Sequence, residues 1–121
     1  MAATKTRTSI WASQSLTAGA GDTTSSAVTM TTGYGAALNI KLTNGATGPT
    51  IAAQVQIRVS NDNTTYWNFG GPLLGKTANS GVQEWGGIPI PAGVQYLKLV
   101  AGSNTGQAVT VDADISELST I

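Results

Sequence analysis

The sequence predicts an all-β fold, an antiparallel two-sheet β-sandwich or jelly roll with an extended amino-terminal segment, and three observations carry that expectation. Apolar and polar residues alternate along most of the chain, no window sustains a helical period, and turn-forming residues punctuate the runs at short intervals. Short strands of this kind bury one face each by packing against an opposing sheet. The chain has 121 residues and a mass of 12.3 kDa, which fits one domain that buries roughly two-thirds of the surface it exposes when unfolded. Residues 1–20 are expected to form an arm or a first strand, and residues 21–121 a single β-sandwich domain.

Taken in chain order, the first segment stands apart. Thr4, Thr6, Thr8, Ser9, Ser13, Ser15 and Thr17 interleave with few large apolar groups, and Ile10, Trp11 and Leu16 are the available anchors. It reads as a first strand, as a disordered tail, or as an extended arm that orders on a neighbouring subunit with Trp11 as its anchor. Ala27 to Thr31 is a short strand with Val28 and Met30 inward. In Leu38 to Leu42, Leu38, Ile40 and Leu42 face inward while Asn39 and Lys41 face out. Ile51 to Ser60 alternates longest, with Ile51, Ala53, Val55, Ile57 and Val59 on the buried side. Tyr66 to Phe69 and Val82 to Ile88 are shorter candidates. Gln95, Leu97, Leu99 and Ala101 form the next inward set, and Val109, Val111, Ala113 and Ile115 the last. Asn44-Gly45 with Gly48-Pro49, the run Ser60 to Thr64, and Pro91-Ala92-Gly93 supply the turns between them.

Composition excludes several chemistries. Six basic residues balance six acidic ones, charged residues make up 10% of the chain, and there is no His and no Cys, against about 25% charged in a typical soluble domain. The expectation is therefore no disulfide, no thiolate or imidazole chemistry, no His- or Cys-held metal and no cofactor. Lys5, Arg7, Lys41, Arg58, Lys76 and Lys98 are scattered, and zero formal net charge argues against a nucleic-acid partner. No apolar run reaches the ~20 residues of a membrane span, and no signal-peptide core follows Lys5 and Arg7, so neither a membrane nor Sec export is expected.

The remaining motifs have ordinary structural readings. Asp112 and Asp114 sit two apart in a strand and so share a face, the spacing that places two carboxylates on one cation, yet solvated strand carboxylates have the same spacing. Asn61, Asp62 and Asn63 are expected to satisfy turn backbone rather than calcium. Asn63-Thr64-Thr65 matches a glycosylation acceptor by coincidence. Gly33, Gly35, Gly70, Gly71, Gly86 and Gly87 read as turns and bulges. Asp22, Asp62, Glu84, Asp112, Asp114 and Glu117 are the only carboxylates, and no catalytic pair is assigned among them. Of the aromatic residues, Tyr66, Trp67 and Trp85 are candidate exposed contacts, and adjacency requires Tyr66 and Trp67 to point to opposite faces, one of them into the core.

Three runs carry a family resemblance: Val59 to Trp67 (VSNDNTTYW), Gly86 to Leu99 (GGIPIPAGVQYLKL) and Gly106 to Asp114 (GQAVTVDAD). Across roughly Tyr34 to Leu118 the chain resembles small β-sandwich structural proteins of tailed bacteriophages, above all the capsid decoration, or cement, proteins. Hairpins like the first run also occur in phage tail and sugar-binding sandwiches, which keeps a tail adhesin or carbohydrate-binding module as the alternative. The resemblance implies a non-enzymatic virion protein, made in the bacterial host cytoplasm, that binds the outside of the major capsid protein shell and self-associates, with trimers among the arrangements the family uses. Thr6, Thr8, Ile10, Trp11 and Leu16 are the expected capsid or subunit contacts.

Overall fold

The computed structural model describes residues 4–30 and 34–120, the last two by backbone alone. Residues 1–3 of the amino-terminal segment, and the expected strand end at Thr31 and turn at Gly33, lie outside the described residues. The elements are β1 (Thr4–Leu16), β2 (Thr23–Thr24), β3 (Val28–Thr29), β4 (Ala36–Asn44), β5 (Gln54–Ser60), β6 (Trp67–Asn68), β7 (Leu73–Leu74), β8 (Val82–Ile90), β9 (Tyr96–Gly102) and β10 (Val109–Thr120). Every pairing is antiparallel.

One sheet, here sheet A, runs β1-β10-β4-β8, and the other, sheet B, runs β2-β9-β5-β6 with β3 beside β9 and β7 beside β5. Because β2 and β3 share one lane and β6 and β7 another, the described residues occupy eight lanes. First pairs with last, second with seventh, third with sixth and fourth with fifth. That is a long hairpin rolled over itself, the jelly roll, and it is the topology the alternating pattern left open against a plain sandwich.

The core lies between the sheets. Leu38, Ile40 and Leu42 of β4 and Val109, Val111, Ala113 and Ile115 of β10 face Val55 and Ile57 of β5 and Leu97, Leu99 and Ala101 of β9. Each such Leu or Ile contributes about 1.5–3 kcal/mol by leaving water. Two inward assignments change: Ile51 is 57% exposed in an isolated bridge to Thr105, and Gln95 is exposed before β9 begins. Both lie past the end of a ladder, and beside Gln95 it is Val94 that packs on the core.

Buried polar side chains stitch the seams that pattern reading does not register. Ser25 breaks the second lane between β2 and β3, but its Oγ accepts the Leu99 N–H at 2.9 Å and its own N–H reaches Leu99 O at 2.8 Å. The Asn44 amide donates to Lys76 O and Ala78 O at 2.8 and 2.9 Å, and the Asn104 amide to Leu16 O and Gln107 O, both at 2.9 Å. Asn44, at the end of β4, ties down the carbonyls of the loop before β8, and Asn104 joins the end of β1 to the loop before β10.

Candidate functional site

Residues Thr4–Leu16 form the edge strand of sheet A, paired along their length with β10. The amino-terminal segment is thus a strand of its own domain, and this revises the reading in which Trp11 anchors an arm on a neighbour. Trp11 is 9% and Leu16 2% exposed, both in the core cluster. Two irregularities in the ladder explain how. The register shifts between Ser9 and Trp11 and again between Trp11 and Gln14, where Ser13 takes φ 51° and its N–H donates to Asp112 Oδ1 at 2.7 Å. These bulges re-aim the strand so that Ile10, half-buried, and Trp11 both pack inward although they are adjacent.

Upstream of the bulges the pattern is different. Positions 4 through 9, including Thr6 and Thr8, are all exposed, so neither face of this half of β1 is covered. A strand that belonged to a sandwich interior would bury every second residue. Beside it, Thr8, Ser9 and Ile10 line a cleft of about 280 Å³ with Ser26, Val28 and Thr29, where the two sheets part at this side. Of the expected contacts, Thr6 and Thr8 lie on open surface, Ile10 sits at the cleft, and Trp11 and Leu16 belong to the core.

Asp112 and Asp114 do share the outer face of sheet A, bordering a hollow of about 410 Å³ with Asn39, Lys41, Glu84 and Gly86. Their oxygens have protein partners. Asp114 Oδ2 pairs with Arg7, Asp114 Oδ1 accepts from Asn39 Nδ2 at 2.8 Å, and Asp112 Oδ1 accepts from Ser13 N. Lys41 stands opposite Asp112 on one side and Glu84 on the other. Among the described residues no three acidic side chains converge to hold a metal ion. Asp62 is likewise committed to its turn. Its Oδ1 accepts from Thr64 N, Thr65 N and Ser60 Oγ, and those hydrogen bonds, that from Thr64 first, hold its carboxyl below the ordinary aspartate range.

The aromatic candidates separate. Trp67 is 68% exposed at the edge of sheet B. Tyr66 is half-buried on the outer side, with Lys98 Nζ 4.0 Å from its ring centroid and its hydroxyl bonded to Asn63 Oδ1. Burial first, then Tyr96 and Asp62, raise its pKa above 10.0. Neither Tyr66 nor Trp67 enters the core, contrary to the expectation for adjacent residues, because β6 is a two-residue edge strand with little sheet to cover it. Trp85 is half-buried: it packs on the core and also lines the hollow beside Asp112 and Asp114.

The pairing of Arg58 with Lys98, directly opposite across β5 and β9, is a feature the sequence concealed. Both residues were legible as outward. Which strand lies beside which was not.

The jelly roll is similar to the structure of the VP2 subviral particle of infectious bursal disease virus, with a TM-score of 0.60 and 10% identity over 94% of this chain and 32% of that one. It is similar also to the structure of the Gx strain of the same virus, with a TM-score of 0.55 and 10% identity over 95% of this chain and 31% of that one. The fold is shared with a viral particle protein. This chain spans about a third of the length of those chains. No family model matches it, and neither does any curated protein. No helix is long and apolar enough to cross a membrane among the described residues.

Proposed function

We propose that the protein is a non-enzymatic virion structural protein that binds the outside of a tailed phage's major capsid shell and stabilises it. The observation that carries this reading is the exposed half of β1 at the edge of a jelly roll. Positions 4 through 9 are held extended by β10, yet both faces are open and bear Thr, Ser, Lys5 and Arg7. An extended, β-prone edge is a ready template for another chain, which natural proteins otherwise blunt. The other three edges are blunted: two are broken into two-residue strands, and β8 carries a bulge and Pro89. The fold shared with a viral particle protein supports the same reading, as does a chain with few charges, which leaves fewer ions to desolvate when its surface is buried. A modest contact repeated over a lattice gains strength by multivalency. Self-association, and the virion surface as the site of action, follow within this proposal.

Co-sedimentation with undecorated capsids of the phage that encodes it tests the reading. Saturable binding, with capsids that withstand higher temperature once loaded, is expected. Absence of the protein from pelleted capsids, with antibody labelling of tails instead, overturns it.

The exposure of Trp67 favours a second reading, a tail or adhesin-type carbohydrate-binding module in which its ring stacks on a sugar. Glycan-array binding that is lost in Trp67→Ala, in a protein that ignores capsids, selects this reading.

A further inference from the structure

Charge is divided unevenly between the two sheets. The strands of sheet A carry Glu84, Asp112, Asp114 and Glu117 together with Lys5, Arg7 and Lys41, whereas those of sheet B carry no Asp or Glu at all and two cations, Arg58 and Lys98. These two stand directly opposite each other on the outer face. Like charges in register on neighbouring strands repel, and no carboxylate within the sheet relieves them. The arrangement is held in place all the same. Arg58 Nη2 donates to Tyr66 O at 2.9 Å, and Lys98 lies over the Tyr66 ring. Arg58 Nε is sealed from solvent without an acceptor, a cost to the guanidinium that its Nη2 contact to Tyr66 O helps to offset. Asp62 acts on Tyr66 through its charge, but its Oδ1 is held by the turn.

Around the two cations lie rings and amides. Tyr96 follows Lys98's face of β9 at the position opposite Ser60, Asn68 is opposite Arg58 on the other side, and Gln56 is one outward position further along β5. We infer that this outer face of sheet B is a binding site for an acidic saccharide, with its anionic group held between Arg58 and Lys98 and its sugar ring against Tyr96 and the part of Tyr66 that Lys98 leaves open. Two preset cations favour the anion through charge-assisted hydrogen bonds. Half-exposed tyrosines offer an apolar face with a polar tip, and amides suit hydroxyl groups. A phosphate backbone does not fit, since two cations on a chain of zero net charge neutralise too few phosphates. The site is separate from Trp67, which alternates to the opposite side of β6, and it does not rest on the capsid reading.

An NMR titration of the whole labelled chain with trigalacturonate tests the site, with maltotriose, polyglutamate and sulfate as comparison probes. Saturable shifts at Arg58, Tyr66, Tyr96 and Lys98 are expected with trigalacturonate, weakened about tenfold in Arg58→Gln and in Lys98→Gln. Lys98→Arg retains binding, and Trp67→Ala leaves it unchanged. Lys98→Gln trades the relieved like-charge pair against the lost Tyr66 contact, two small and opposed effects, so its melting temperature should stay close to that of the parent chain and a loss of binding there is not a loss of fold. No shifts at about 10 mM trigalacturonate, a concentration that reveals even millimolar affinity, overturn the inference. So do equal shifts with maltotriose, polyglutamate or sulfate, or binding that follows Trp67 rather than the cations.

Discussion

Arg7 of β1 meets Asp114 of β10, its Nη2 2.9 Å and its Nε 3.0 Å from the same carboxylate oxygen. The contact continues across the sheet: Asp114 Oδ1 takes the Asn39 amide of β4, and Asn39 Oδ1 takes the N–H of Gly87 in the β8 bulge at 2.8 Å. Three side chains and one backbone N–H therefore form a single row across the four strands of sheet A. The Arg7 side chain is 67% exposed and that of Asp114 25%, so the ion pair is screened and worth under about 1 kcal/mol. Arg7→Ala is expected to lower stability by that amount in urea at low salt and by less in about 1 M salt, where the Debye length is short. Asp114→Ala strips partners from both Arg7 and Asn39 and is expected to cost more, about 1–2 kcal/mol. Equal losses from the two variants would show that the row does not act as one.

Gly48 is fixed by space. A β-carbon there would collide with Thr77 O and lie 2.7 Å from Ala78 O, both backbone atoms, while the Gly48 N–H is held by Asn79 Oδ1 at 2.9 Å. Gly48→Ala must push two loops apart and is expected to cost about 1–3 kcal/mol. Gly93, which has nothing within 4 Å of such a carbon, provides the control. Gly93→Ala should leave the urea midpoint unchanged or slightly raised.

Leu99 is fully buried at 0% exposure, central in β9, and its backbone is bonded to Ser25 on one side and paired with Ile57 on the other. Leu99→Ala is expected to cost about 2–5 kcal/mol, lost transfer free energy plus the residual cavity. The urea midpoint should fall while the slope stays unchanged; a changed slope would mean that the native or denatured state itself had altered.

The pH dependence at Asp62 has a defined sign. Hydrogen bonds from Thr64, Thr65 and Ser60 lower its folded pKa below the ordinary 3.8. Its contribution is therefore complete above that value and is lost as pH falls through the folded pKa. Melting curves taken from pH 5 down to about pH 2 should fall more steeply for the parent chain than for Asp62→Asn. Parallel curves would remove Asp62 from the acid transition.

Much of this fold was legible because alternation reports burial wherever two sheets overlap. Leu38, Ile40 and Leu42, and Val109 through Ile115, lie as their pattern requires. The pattern fails past the ends of the ladders, at Ile51 and Gln95, and where the backbone changes register, as when the β1 bulges turn Ile10 and Trp11 inward together. Lane order is invisible to a period of two. Hence the Arg58–Lys98 juxtaposition and the Arg7–Asp114 pair, separated by forty and more residues in the chain, emerge only once β9 is beside β5 and β10 beside β1.

The two halves of β1 have different work, and this decides how the capsid proposal should be probed. Deleting the segment through Leu16 removes a strand that pairs with β10 along its length and takes Trp11 and Leu16 out of the core. Such a truncation is expected to unfold the domain, since either side chain alone is worth about 2–5 kcal/mol and whole domains are stable by about 5–15 kcal/mol; loss of capsid binding in it would say nothing about contact. Thr8 is the informative position, because it is exposed upstream of both bulges and borders the cleft lined by Ile10 and Val28. Thr8→Glu should leave the melting temperature within about 2 °C of the parent, as surface substitutions do. A carboxylate forced into an interface costs far more, so the same variant should pellet with undecorated capsids at least about tenfold less tightly. Undiminished co-sedimentation of a folded Thr8→Glu protein would move the contact away from β1.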